Sequence, residues 1–430
     1  MPASEVVIVS GAEYAKYEPG AGDKWVLRPF TPSIFIAKVR NWAANELRIA
    51  DTTVTVFDIA RGTQETTTDG RTWKRVRTLP PPTNDEYWRI VANRPGSRRY
   101  TRPANPFTNK DIETTHLAYL PGSAVPPRTT LDDSYRPVGG PRLGMQDVYN
   151  YICRLGITRP ATLRGLHIFA HADEGGPILL DTWSPAPDAD DRGPLDIDAR
   201  AHQDFTAANI PGVGVPTKFA DDVDRERFIA DHPRTRSGFL AAWTEDATAV
   251  VWGCLHDDFV KAIIEQAAAQ LARYAAQRSG ATPADPEITF RPDASGSLAG
   301  ADVKDWAAFF ALPPPRPRAT AEVRPLSWLK AKLISLNDNA YAGQLRVALA
   351  AGTTYPHRRV LAAPVGVSTW VNPSKRDTGI NALMRVVPGE FDKVLTFYKS
   401  LGYTYALDLA DDTKPFGRGY GQFPPSAPTP

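Results

Sequence analysis

Short runs of alternating or continuously apolar residues recur along the chain, separated by stretches that read as helices. Glu5–Ser10 is apolar and β-branched, and Asp51–Ile59 alternates, so both predict strands; between them Phe35, Val39, Trp42 and Leu47 fall near one face of a helix over Ser33–Leu47. Strand, helix, strand is an α/β beginning. From Arg61 to about Arg142 the pattern dissolves into Pro, Thr, Arg and Asn, which predicts a long loop-rich insertion. Periodicity returns at Gly144–Leu155, where Val148, Ile152 and Leu155 mark one helical face. In the stretch LRGLHIFAHADEGGPILLDT, Leu166, Ile168 and Ala170 then alternate with His167, Phe169 and His171 as a strand.

The strand breaks at Ala172-Asp173-Glu174-Gly175-Gly176-Pro177, a turn-forming cluster that leaves His171 where strand gives way to loop. A second insertion, about 184–245, opens with the acidic, Pro-rich SPAPDADDRGPLDIDARAHQD. Ala247–Cys254 reads as another buried strand ending at Gly253-Cys254, followed by the Ala-rich helix Phe259–Arg278. Beyond a proline block at Leu312–Pro317 come helices at Trp328–Leu336 and Asn339–Ala351, strands at Arg359–Pro364 and Ala382–Val387, and a closing helix at Glu390–Leu401. The expectation is one α/β domain over 1–410, a mostly parallel sheet flanked by helices and decorated by long Pro-rich loops. Residues 411–430 form a turn-rich tail.

Composition narrows the field. Of 430 residues, 42% are hydrophobic and 10% aromatic, ample for a packed core. Lys and Arg number 50 against 48 for Asp and Glu, a balance that argues against a nucleic-acid or anionic-membrane partner, the basic Arg98–Arg102 stretch notwithstanding. Proline, at 40 residues, is nearly twice the usual ~5%. No run approaches the ~18 apolar residues of a membrane span, and the amino-terminal apolar run is only Val6–Val9. The expected location is the cytoplasm, or outside it by signal-independent export.

Only two cysteines occur, Cys153 and Cys254, which excludes a disulfide framework or a four-cysteine metal site. Cys153 lies on the Gly144–Leu155 helix and reads as a small buried filler. Cys254 closes a strand, as His171 does. Thiolate is the attacking form, so a nucleophilic cysteine needs a base, and a histidine at a neighbouring strand end supplies one. The amides around Ala172, Gly175, Gly176 and Gly253 are candidates for holding an oxyanion. His256 is a spare base two residues from Cys254; His167 and Asp173 are further candidates beside His171. No cofactor motif occurs. The aspartates of the acidic stretch lack calcium-loop spacing, and His167 and His171 on one strand stand roughly 13 Å apart at ~3.3 Å per residue, too far to share an ion.

Two segments carry a resemblance. LHIFAHADEGGPILL and VVWGCLHD resemble, in the same chain order, the histidine and cysteine segments of caspase-like peptidases of the caspase–haemoglobinase fold, including bacterial metacaspase-like and separase-like CHAT domains. The resemblance implies a peptidase acting on peptide or protein substrates, with Cys254 as nucleophile and His171 as general base. Ala172 stands where that family usually has glycine. Trp252-Gly253-Cys254 and Gly419-Tyr420-Gly421-Gln422-Phe423 are also similar to segments of uncharacterised bacterial proteins encoded near contact-dependent secretion systems, which implies an effector or a secretion-system partner. Two alternatives stay open: a non-catalytic or toxin-type effector or binding protein on an α/β scaffold, and an α/β-hydrolase-like esterase. The nucleophile elbow of the esterase needs small residues where this chain has Trp252 and His256.

Overall fold

A computed structural model of the chain describes residues 4–11, 17–19, 25–27, 36, 40, 51–79, 143–173, 176–179, 204–205, 207, 210–253, 258–277, 284–293, 298–299, 303–313, 319–350, 358–367, 370–371, 384–385, 391–405 and 421–422. The chain opens with β1 (Ser4–Ser10), a ribbon of β2 (Tyr17–Pro19) and β3 (Trp25–Leu27), then β4 (Thr52–Asp58), β5 (Thr63–Thr67) and β6 (Lys74–Thr78). Helix α1 (Met145–Thr158) leads into β7 (Leu163–Phe169) and a ribbon of β8 (His171–Asp173) and β9 (Gly176–Ile178). Helices α2 (Asp222–Asp231) and α3 (Arg236–Ala242) precede β10 (Trp243–Val251) and α4 (Asp258–Gln277). Strands β11 (Glu287–Phe290) and β12 (Glu322–Pro325) pair around α5 (Val303–Phe310). The described chain ends with α6 (Leu326–Asn339), α7 (Tyr341–Ala350), β13 (Arg359–Ala362), the β14 (Trp370–Val371) and β15 (Met384–Arg385) ribbon, α8 (Asp392–Ser400), β16 (Thr404–Tyr405) and β17 (Gly421–Gln422).

Among the described residues nine strands form one sheet in the order β16-β17-β13-β10-β7-β1-β4-β5-β6. The inner five, β13, β10, β7, β1 and β4, are all parallel, and antiparallel strands extend both edges. Numbered by chain order, the parallel strands run 2-1-3-4-5, the doubly wound order that reverses between β1 and β7. Such strands are buried on both faces, which is why they read as nearly continuous apolar runs. Val7, Val9, Leu166, Ile168, Ala249 and Val251 pack on one face with Val148 and Ile152 of α1, Ile263 of α4, Leu333 of α6 and Leu395 of α8. The alternate residues Val6, Ile8, Val54, Val56, Phe169, Val250 and Trp252 form a second cluster on the other face, which Ile36 joins.

Several elements differ from expectation. The loop-rich stretch after Arg61 contains β5 and β6, an antiparallel extension of the sheet. β5 is polar in sequence yet buried at Thr63, Gln64, Glu65 and Thr67; Glu65 is ion-paired with Arg40 and Arg75, so hydropathy gave no sign of it. Within 184–245, α2 and α3 form behind side-chain caps: Asp221 accepts from the Asp224 N–H and Thr235 from the Gly238 N–H. Gly421–Gln422 of the tail forms a strand between β13 and β16. The helix expected over Ser33–Leu47 is described at Ile36 and Arg40, both helical. The Arg98–Arg102 stretch, Asp188, Asp190, Asp191, Asp196 and Asp198 of the acidic insertion and most of the proline block lie outside the described residues, whereas Asp204 at the end of that insertion is buried.

The amino end of the sheet is fastened by a buried carboxylate. Glu5, fully buried, accepts from the Thr55 hydroxyl at 2.6 Å and the Tyr151 hydroxyl at 2.7 Å, and pairs with Arg159 at 2.9 Å. These partners come from β4, from α1 and from the turn after α1, so one carboxylate ties three segments. Removing the carboxylate takes the acceptor from two buried hydroxyls while Arg159, 42% exposed, turns to solvent, at about 1–3 kcal/mol. Glu5→Ala is expected to lower the chain's stability by that order, read as a drop in urea midpoint with unchanged slope.

Candidate functional site at the carboxyl edge

Parallel strands in register finish together. In the β7–β10 ladder Val250 lies opposite His167 and Val251 opposite Ile168, and the Trp252 N–H donates to the Ile168 carbonyl at 2.8 Å. On the other side of β7, the Gly11 N–H donates to the Phe169 carbonyl at 2.8 Å, and the Ile59 N–H to the Ser10 carbonyl at 3.0 Å. Strands β4, β1, β7 and β10 therefore end side by side at one edge. The backbone is crowded there. A Cβ on Gly253 would lie 2.9 Å from the Ala170 carbonyl oxygen and 3.3 Å from the Ala172 nitrogen, and would run into the Ala172 methyl. Only glycine fits. The segment after β10 is thus pressed against the segment after β7.

His171 does not close β7. It lies two residues past Phe169 and opens β8, paired with Ile178 of β9; Ala172 then faces Pro177, and Asp173 faces Gly176. What the sequence presented as a loop is a tight antiparallel ribbon, with Ala172 buried in it. Gly176 has φ +138°, a conformation that side-chain-bearing residues rarely adopt. The backbone of His171 and Asp173 is described and their side chains are not; Gly175, Cys254 and His256 lie outside the described residues. The described residues on either side in the chain are Gly253, packed on Ala172, and Asp258 at the start of α4.

His167 sits on the face of β7 that carries Phe169. Its Nδ1 accepts from the Trp252 indole N–H at 3.2 Å, and the Phe169 and Trp252 rings stack at 5.3 Å with planes 5° apart. The His167 ring lies nearly parallel to both, 17° from Trp252 and 11° from Phe169. Burial pushes its pKa down to about 3. At neutral pH His167 is an uncharged ring with Nδ1 as acceptor and the proton on Nε2, poorly matched to proton transfer near pH 7.

Cys153 is the expected buried filler: it is free, fully buried, and its Sγ donates to the Thr235 carbonyl at 3.5 Å. Burial raises its thiol to about 11, so it stays protonated. Two residues at the edge were not apparent from the sequence. Ser10 and Asp58, the last residues of β1 and β4, are buried neighbours in register, and burial raises the Asp58 pKa. Their position at the ends of the first two apolar strands was the available signal. Among the described residues no three His, Cys, Asp or Glu side chains cluster as metal ligands would, and no helix is long and apolar enough to cross a membrane. No known protein family, curated protein or solved structure matches the chain.

The depressed His167 pKa has a measurable consequence. As pH falls, the unfolded chain takes up this proton near 6.5, whereas the folded chain resists until about 3. Stability attributable to this group is complete above 6.5 and falls below it, by at most about 1.4 kcal/mol per pH unit. Urea midpoints between pH 7.5 and 5 should therefore drop more steeply for the wild-type chain than for His167→Gln. Parallel slopes would mean that His167 is not a buried neutral ring.

Proposed function

We propose that the chain is a cysteine hydrolase of caspase-like type acting on peptide or protein substrates, with Cys254 as nucleophile and His171 as general base. The observation that carries this reading is the contact of Gly253 with Ala170 and Ala172, which makes direct chain neighbours of the two residues packed together. The order of the sheet is a second support. Histidine and cysteine come after the third and fourth parallel strands, adjacent and in register, at the edge where doubly wound folds hold their ligands.

In this chemistry His171 takes the Cys254 proton, and the sulfur attacks the scissile carbonyl carbon. The tetrahedral oxyanion collapses by expelling the amine, which leaves with the proton from His171. Water, deprotonated by His171, then attacks the thioester, releasing the acid and returning the proton to sulfur. Amides of Ala172, Gly175, Gly176 and Gly253 are the candidate oxyanion donors. Asp173 beside His171 and His256 beside Cys254 are the remaining polar candidates. An esterase elbow fits less well, because the position two before the nucleophile holds Trp252, a large ring stacked on Phe169.

Thiol labelling tests the pair without a known substrate. Iodoacetamide at pH 7 is expected to alkylate Cys254 at least about tenfold faster than an ordinary exposed thiol, whose pKa is ~8.5. Cys153 should stay unmodified, and His171→Ala should bring Cys254 down to the ordinary rate. Equal, slow labelling of Cys254 in the wild-type and His171→Ala chains would sink the assignment. With a peptide substrate in hand, Cys254→Ala should abolish turnover while leaving the circular dichroism spectrum unchanged.

A further inference from the structure

We infer that His167 and Trp252 are positioning residues, a hydrogen-bonded pair that fixes the path of Gly253 out of the sheet and, through that residue, tunes the reactivity of Cys254. The inference rests on the assignment of Cys254 and His171 as the reactive pair. Trp252 joins the last paired residue of β10 to the crowded glycine, and three residues of β7 hold it. Its backbone N–H donates to Ile168, its indole N–H donates to His167, and its ring stacks on Phe169. Trp252 is fully buried and His167 nearly so, against an apolar layer that contains Val6, Ile8, Ile36, Val54, Val56, Phe169, Val250 and Leu361.

An imidazole is a costly choice for such a layer. A phenyl or isobutyl group would fill similar space with no desolvation penalty. What the imidazole adds is direction, because Nδ1 has one lone pair in the ring plane and the indole has one N–H. Satisfying both fixes the rotamer of Trp252, and a buried polar pair retained at a cost in stability is a known device for specifying one arrangement among several. Beyond Trp252 there is little slack. Gly253 touches Ala170 and Ala172, so a small rotation at Trp252 drives its backbone into β8, the strand that His171 opens. Catalytic pairs are sensitive to this, since displacements of about 1 Å cost on the order of a hundredfold in rate.

The test is the pH profile of Cys254 alkylation by iodoacetamide in the full chain, read by peptide mass so that Cys153 is counted separately. Three variants divide the outcomes. His167→Phe and Trp252→Phe each keep an aromatic ring in the stack and remove one side of the hydrogen bond. His167→Gln keeps an acceptor. Both phenylalanine variants are expected to move the inflection of the profile upward by about one pH unit and to slow labelling at pH 7 about tenfold, with thermal unfolding still cooperative. His167→Gln should stay near the wild-type profile. A folded phenylalanine variant with the wild-type inflection overturns the positioning role and leaves the Cys254–His171 pair standing. A wild-type inflection near 8.5, that of an unassisted thiol, overturns the pair itself and the positioning role with it.

Discussion

Two parallel strands bonded in register must deliver their succeeding residues to the same place, and the β7–β10 ladder is the constraint on which the rest of this molecule turns. Its hydrogen bonds continue one residue beyond the pairing, through Trp252 to Ile168. Everything at the carboxyl edge inherits that alignment: the aromatic layer of His167, Phe169 and Trp252 beneath it, the close approach of Gly253 to Ala172, and the ribbon that His171 begins. A one-residue slip would exchange the faces of β10. Trp252 would then turn into the helix-covered core and Val251 into the aromatic layer, and both packing clusters would be lost together.

The two ends of the sheet solve different problems. At the amino end a charged group is buried and fully engaged, Glu5 holding Thr55, Tyr151 and Arg159. That end behaves as a fastening. At the carboxyl end small residues meet, Gly11 lying against Ala170 and Leu179 and Gly253 against Ala170 and Ala172, so main chain packs closely on main chain. Reactive groups are held most accurately when they project from such rigid, closely packed backbone. Ser10 and Asp58 add polar character to the same edge without disturbing its packing.

The central strands could be read from the sequence because burial on both faces demands it. Glu5–Ser10, Asp51–Ile59 and Ala247–Cys254 are β-branched or apolar runs bounded by turn residues, and they locate β1, β4 and β10 to within a few residues. What escaped was whatever is stabilised by partners rather than by hydropathy. β5 is a row of Thr, Gln and Glu made buriable by pairing and by Arg40 and Arg75. Helix α2 is polar almost throughout and is declared mainly by its Asp221 cap, and β17 is two residues long. At the site, the chain order of His171 and Cys254 was readable, and so was the glycine before the cysteine. The ribbon at His171 was not, because Gly-Gly-Pro signals a turn without saying which residues pair across it. Nor was the role of His167: alternation puts it on the face opposite Leu166, but nothing local says that an indole waits there.

The topology also dictates how the molecule must come together. β1 occupies the middle of the sheet, yet its partner β7 is synthesised long after it, with Val7 meeting Leu166 only when the intervening chain has been looped out. The same holds for β10 and β13, whose pairing of Val250 with Leu361 closes another long loop. Contacts between positions so remote along the chain are reached slowly, and until they form, the apolar flanks of β1 and β10 are bare strand edges open to other chains. Folding of this protein is accordingly a race between late-arriving strand partners and self-association.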